Sequence, residues 1–214
     1  MYKYIKRLLD FLLSGALFII ISPLFIILII IVKIKIGSPV FFKQERTGYK
    51  EKRFNLIKFR TMTNKKDENG KLLPDSQRLT NTGKLLRSTS LDELPELISI
   101  IKGDMSIIGP RPLPSTYDPF YTDKEKSRFN VRGGLIPPGG SIKKNPIITW
   151  DDQLEIEANY ATHLNIKTDI VIFINAFSII FKRKQYNYGS YERKPLNIER
   201  AAPKRNTSNA RRNK

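Results

Sequence analysis

The longest apolar run dominates the pattern of the chain. Within residues 11–32 no side chain is charged; Lys3, Lys6 and Arg7 stand before the run, and Lys33 and Lys35 after it. A bilayer-crossing helix needs roughly 20 such residues, so a single span is the first expectation. Two features point elsewhere. Both flanks are basic, so the positive-inside rule gives no orientation. Ser22-Pro23 lies near the middle, where proline removes a backbone donor and clashes with the preceding turn. A helix kinked there can enter the membrane and return to the same face. Its freed carbonyl then needs a partner, for which the Ser22 hydroxyl is a candidate. No small-residue cleavage site follows the run, so the segment is expected to stay in the mature chain.

Beyond the run the periodicity changes. Residues 39–44 and 54–62 are rich in β-branched and aromatic side chains and are predicted strands, with Gly48 in the turn region between them. Residues 64–77 are polar, hold Gly70 and Pro74, and read as a loop. A short helix is predicted over 83–87. Leu91, Leu94, Ile98 and Ile101 recur at helical spacing and mark a second. Ser90 with Glu93 fits a capping box at its start, and Pro95 fits its first turn. Residues 111–145 are punctuated by proline and glycine and are expected to be mostly loop. Residues 150–160 form a predicted helix. Residues 169–181 are apolar but too short to span; an interfacial helix and a core helix fit them equally. The pattern gives an α+β chain in three parts: a membrane helix over 1–36, a body over 37–181 with a small β-hairpin and several short helices, and a tail over 182–214.

Charge adds to this picture. Net charge is +18, and the tail holds half of it, with eleven Lys and Arg against Glu192 and Glu199. The tail is expected to be largely disordered, in solvent or against the headgroups of anionic membrane lipids. A basic balance also invites nucleic acid. A membrane-anchored nucleic-acid-binding or scaffold protein is therefore the rival reading. That rival leaves the ordered acidic and Gly-Pro-Arg-Pro motifs without a use, so no nucleic acid partner is expected. Cysteine is absent and His163 is the single histidine, so neither a disulfide framework nor a zinc site is expected. The pattern carries no signal of an oligomeric state.

The candidate chemistry lies in Ser90-Leu91-Asp92-Glu93-Leu94-Pro95, followed by Lys102-Gly103-Asp104-Met105-Ser106 and Gly109-Pro110-Arg111-Pro112. Two adjacent carboxylates stand at a helix start, with Arg87 before them and Arg111 after. One acid can attack phosphorus or hold a metal while an arginine neutralises phosphate oxygens. The plainer account is that acids favour helix starts because they meet the positive end of the helix dipole. Further along, Glu155 and Glu157 can reach a site, a solvated face being the simpler reading.

Taken in order, these motifs resemble the bacterial sugar transferase family, the small monotopic phosphoglycosyl transferases. The resemblance runs from Lys6-Arg7 and Asp10 through Ser22-Pro23, the strand 39–42 with Gln44, Arg46 and Gly48, and Lys58-Phe59-Arg60-Thr61-Met62. It continues through Gly83, Leu86-Arg87 and residues 90–95 to Gly103–Ser106 and Gly109–Pro112. The chain resembles the minimal form, without the extra N-terminal helices of larger members. It departs from the family pattern at residues 132–140, which lack the Arg-Pro-Gly run and the Ala-Gln-Val stretch that relatives carry.

The resemblance implies transfer of a phosphosugar from a UDP-sugar to a polyprenyl (undecaprenyl) phosphate, with release of UMP. It implies that Asp92 is the nucleophile, that Glu93 helps bind Mg2+, and that Arg111 sits on substrate phosphate. Arg87, Lys58 and Arg60 are further phosphate candidates, and Glu157 is a candidate for an acid that relatives carry further on. It also implies that the segment kinked at Ser22 and Pro23 is a re-entrant hairpin. The catalytic body then lies on the cytoplasmic face of the bacterial inner membrane.

Overall fold

A computed structural model describes residues 2–141, 149–182 and 194–201. The apolar run is part of one helix, α1 (Tyr2–Lys35), with Pro23 inside it. Pro23 has no N–H for the carbonyl of Ile19, four residues back. The Ser22 hydroxyl donates to that carbonyl at 2.8 Å, as the Ser-Pro pair predicts. Lys6, Asp10, Ser14, Phe25, Leu28 and Val32 are buried, at spacings that place them on one stripe of the helix. The remaining surface carries exposed Leu8, Leu12, Ile19, Ile20, Ile26, Ile30 and Ile34. One narrow stripe therefore meets protein, and the wide apolar surface does not.

The predicted hairpin forms as β1 (Phe41–Thr47) and β2 (Arg53–Phe59), antiparallel, with Phe41 opposite Phe59. Both strands are displaced from their predicted limits, and Gly48 opens the connecting turn. The expected loop over 64–77 gives way at residue 75 to a one-turn helix, α2 (Asp75–Arg78), and α3 (Asn81–Thr89) follows. The side chain of Thr80 caps α3 by accepting from the N–H of Gly83. A Cβ on Gly83 would lie 1.9 Å from the Thr61 carbonyl oxygen, so only glycine lets α3 approach the end of the hairpin this closely.

Helix α4 (Glu96–Lys102) ends at Gly103 (φ 95°) and feeds β3 (Met105–Ile108). Strand β3 pairs in parallel with β4 (Gly133–Ile136). This pair was not expected, because Gly133-Gly134 reads as loop. The glycines permit a close crossing: a Cβ on Gly134 would stand 2.0 Å from the Gly109 nitrogen. Between the two strands runs chain with 3-10 turns at Ser115–Phe120 and Ser127–Asn130 and one turn of α-helix, α5 (Asp123–Lys126). Helix α6 (Trp150–Thr162) starts on a Thr149–Asp152 capping box.

Helix α7 (Ile166–Lys182) buries Asp169 and Ile172 and exposes Ile166, Ile170, Val171, Phe173 and Ile174. Asp169 accepts from Lys6 Nζ at 2.7 Å, from the Tyr160 hydroxyl at 2.6 Å and from the Tyr2 hydroxyl at 2.5 Å. This buried node fastens α7 to the start of α1. Within the tail, expected to be largely disordered, the short α8 (Leu196–Ala201) is helical. Leu196 is fully buried, and Arg200 reaches Glu125 and Asp151 at 2.7 and 2.6 Å. One leucine and one doubly paired arginine outweigh the polar composition there. The rest of the tail, 183–193 and 202–214, lies outside the described residues, as does 142–148, which includes the end of the expected 111–145 loop.

Candidate active site

Asp92 and Glu93 occupy one 3-10 turn, Leu91–Glu93, between α3 and α4. The predicted capping box does not form. Ser90 instead adopts the left-handed conformation (φ 56°, ψ 18°) and closes α3 through its backbone N–H. That conformation costs a non-glycine residue roughly 1–2 kcal/mol, and it turns the chain sharply into the acidic pair. Leu91 and Leu94 pack against the cluster of Phe25, Leu28, Val32, Phe59 and Leu86. The two carboxylates line a cleft of about 1030 Å³.

Positive charge dominates the cleft. Lys43, Arg46, Lys58, Arg60, Arg78, Arg87 and Arg111 line it, against Asp75, Asp92 and Glu93. A bent chain of ion pairs crosses its floor. Lys58 Nζ lies 3.1 Å from Glu96 Oε1 and 2.6 Å from Glu93 Oε1, and Arg111 Nη2 lies 2.8 Å from the same Glu93 oxygen. Arg87, one turn along α3 from Gly83, donates from Nε to the Thr61 hydroxyl at 3.1 Å. Arg60 lines the cleft but is buried and braces backbone, donating to the carbonyls of Met62 and Ser38 at 2.7 and 2.6 Å. The six expected residues Asp92, Glu93, Lys58, Arg60, Arg87 and Arg111 thus all line one cleft. Ser22 and Pro23 are not among its lining residues; they belong to α1.

The environment separates the carboxylates. Burial pushes Asp92 above the ordinary aspartate range and Glu93 adds to the rise, while Lys58 and Arg87 oppose it. Burial also works against Glu93, but Arg111 and Lys58 outweigh it and hold that carboxyl below the usual glutamate value. Glu96 is pushed up by burial and by Glu93, with Lys58 opposing. Glu93 is thus a fixed anion. Asp92 is a desolvated carboxylate, poorly paired and correspondingly available to an electrophile.

Glu96 was not picked out from the sequence, although it stands four residues after Asp92, a spacing that brings helical side chains together. Arg46 entered only as part of a motif. It donates to the Pro112 carbonyl at 3.3 Å and to Gln44 Oε1 at 2.5 Å. Glu157 does not lie on a solvated face; it is fully buried.

Residues 1–183 match the family described as Bacterial sugar transferase. The chain belongs to the bacterial sugar transferase family. It is similar to the uncharacterized sugar transferase EpsL of Bacillus subtilis, with 45% identity over 170 residues, 78% of this chain and 83% of the relative. It is also similar to the exopolysaccharide production protein ExoY of Rhizobium meliloti, with 30% identity over 78% of this chain and 81% of the relative. A third relative is the UDP-glucose:undecaprenyl-phosphate glucose-1-phosphate transferase of Caulobacter vibrioides, 33% identical over 61% of this chain and 51% of that protein.

A metal ion at the acidic pair of this sugar transferase would need ligands from outside the protein. Among the described residues no group of three or more His, Cys, Asp or Glu is arranged to hold an ion by itself. Magnesium in phosphate chemistry commonly takes one or two carboxylates plus substrate oxygens and water. Both cations on Glu93 bond Oε1, so Oε2, which takes no ion pair among the described residues, is the oxygen that would be tested as such a ligand.

If Asp92 is the nucleophile it must be ionised, and the upward shift that burial gives its carboxyl would then place an acid limb on turnover. The rate–pH profile is expected to fall about tenfold per pH unit below an inflection that lies above the ordinary aspartate value. Asp92→Asn is expected to fold normally and lose ~10³-fold or more of turnover. A profile without that limb, or near-normal turnover by Asp92→Asn, would remove Asp92 from the chemistry.

Proposed function

We propose that this protein transfers a phosphosugar from a UDP-sugar to a polyprenyl phosphate at the cytoplasmic face of the bacterial inner membrane, as the first step of a glycoconjugate. The carrying observation is the desolvated Asp92 carboxylate beside a cationic cleft large enough for a nucleoside diphosphate sugar. Relatives named for UDP-sugars and undecaprenyl phosphate support the substrate class.

The reaction runs in two displacements. An Asp92 carboxylate oxygen forms a bond to the sugar-bearing phosphorus, and the bond from that phosphorus to the bridging oxygen breaks. UMP departs with the bridging oxygen and its electron pair. The polyprenyl phosphate oxygen then attacks the same phosphorus, a diphosphate forms, and Asp92 leaves as a carboxylate. Arg111, Lys58 and Arg87 neutralise phosphate oxygens in both steps. Arg60 supports the cleft wall from behind. Magnesium held by Glu93 and the diphosphate would add charge neutralisation to the leaving phosphate.

Two displacements at one carboxylate imply ping-pong behaviour. UMP is expected from UDP-sugar before any acceptor is present, at about one equivalent per active enzyme. It should depend on a divalent ion, and Glu93→Gln should raise the ion concentration needed. UMP that appears only with polyprenyl phosphate would support direct transfer instead.

Membrane attachment follows from α1. At 1.5 Å per residue its 34 residues would extend about 50 Å if straight, beyond the ~30 Å hydrocarbon layer. Both of its ends nonetheless bond to the same body. Arg7 donates to the carbonyls of Ile100 and Ile101 at 2.6 and 2.7 Å, and the Ile107 N–H donates to Asp10 Oδ1 at 3.0 Å. At the other end Val32 and Ile36 pack with Phe59 and Leu86. These contacts support a helix that dips into the membrane and returns, with the outer face of α7 lying on the interface. The natural chain has no cysteine, so cysteines at exposed Lys3 and Ser38 can be labelled cleanly. Both are expected to resist an impermeant thiol reagent in intact cells and to react after lysis. Labelling of Lys3→Cys alone in intact cells would show a true span.

A further inference from the structure

Arg111 lies between two prolines, and its peptide is held in an unusual way. Pro110 and Pro112 have no N–H, so Arg111 supplies the only backbone donor of this tripeptide. That N–H donates to Glu157 Oε1 at 3.2 Å, and the Arg111 carbonyl accepts from Arg128 Nη2 at 2.6 Å. Arg128 Nη2 also lies 2.6 Å from Glu157 Oε2. One ion pair thus grips the residue at both its N–H and its C=O. The pair is sealed inside the protein, with side-chain exposures of 2% and 0%. Gln153 donates to Glu157 at 2.9 Å, and the Tyr121 hydroxyl receives Arg128 Nη1 at 3.0 Å, so the clamp is itself held.

A buried ion pair is poor value as a stabiliser, because desolvation offsets much of the attraction. Its worth here lies in geometry. The side chain of Arg111 is 45% exposed and reaches the cleft, where Glu93 receives it at 2.8 Å. A long exposed side chain finds one position only if its backbone is fixed. We propose that the Arg128–Glu157 pair is a positioning device for Arg111: it fixes the Arg111 peptide and thereby sets where the guanidinium meets Glu93 and the substrate diphosphate. This inference rests on the phosphosugar-transfer reading of the cleft. The clamp residues touch no substrate and act through Arg111.

The test is a kinetic double-mutant cycle on single-turnover release of UMP from a UDP-sugar. Glu157→Gln keeps an acceptor but removes the charge, and Tyr121→Phe keeps the ring while loosening Arg128. Glu157→Gln is expected to slow release on the order of 10- to 100-fold, the cost of a misplaced catalytic group, and Tyr121→Phe to slow it less. In an Arg111→Ala background each change should cost under about twofold, since the residue they serve is gone. Equal fold losses in both backgrounds would show a merely structural pair and overturn the proposal. Should Glu157→Gln fail to fold, the Tyr121→Phe cycle decides alone. Hydrogen exchange at the Arg111 amide gives a readout independent of the donor. It is expected to be slow in the wild type and faster in both variants, and unchanged exchange would contradict the clamp. A wild type that released no UMP from any UDP-sugar would count against the proposed function instead.

Discussion

The structure depends on the packing of one narrow stripe of α1 beneath the Leu91–Glu93 turn. Phe25, Leu28, Val32 and Ile36 form a cluster with Phe59 and Leu86, and Leu91 and Leu94 rest on it. Each such side chain contributes about 1.5–3 kcal/mol when fully buried. Phe25, Leu28 and Val32 bring three such contributions from α1 itself. The helix is therefore a part of the core as well as a membrane element. Its other faces carry exposed isoleucine and leucine that water does not favour. If α1 enters the membrane as proposed, one helix would tie the depth of the protein there to the position of Asp92. A polyprenyl phosphate presents its phosphate at the interface, so the proposed chemistry needs such a tie.

Electrostatics divides the labour between adjacent residues. Asp92 and Glu93 share a turn, yet burial raises one while Arg111 and Lys58 hold the other low. The difference follows from which side chain the cations can reach. Lys58 bonds Glu93 and Glu96 and does not bond Asp92. A nucleophile tightly paired with a lysine would be stable and inert. The arrangement keeps positive charge near the Asp92 carboxylate without an ion pair to it; under the proposed function that would leave its oxygens for phosphorus.

The parts legible in the sequence are those whose signal is local. The apolar run, the Ser22–Pro23 pair with its hydroxyl on the freed carbonyl, the hairpin and the Asp92–Glu93 turn all follow from spacing and residue type. What escaped detection was set by distant contacts. The parallel β3–β4 pair is four residues long and depends on glycines crossing from Ile108–Gly109 to Gly133–Gly134. Glu157 reads as an exposed acid on a polar helix until Arg128 and the Arg111 peptide are brought to it. The Ser90–Glu93 capping box failed because Glu93 met stronger partners in Lys58 and Arg111. Part of the tail folded because Leu196 and Arg200 found a pocket and two acids.

The central claim is that Asp92 carries the phosphosugar. Intact-protein mass spectrometry tests it most directly. Purified enzyme is mixed with magnesium and a panel of UDP-sugars, without acceptor, and quenched in acid. The account predicts a mass increase of one phosphosugar, mapped by fragmentation to Asp92, absent in Asp92→Asn and discharged by polyprenyl phosphate. Acceptor-dependent turnover with a donor that leaves no adduct on the protein, or an adduct at another residue, would contradict it.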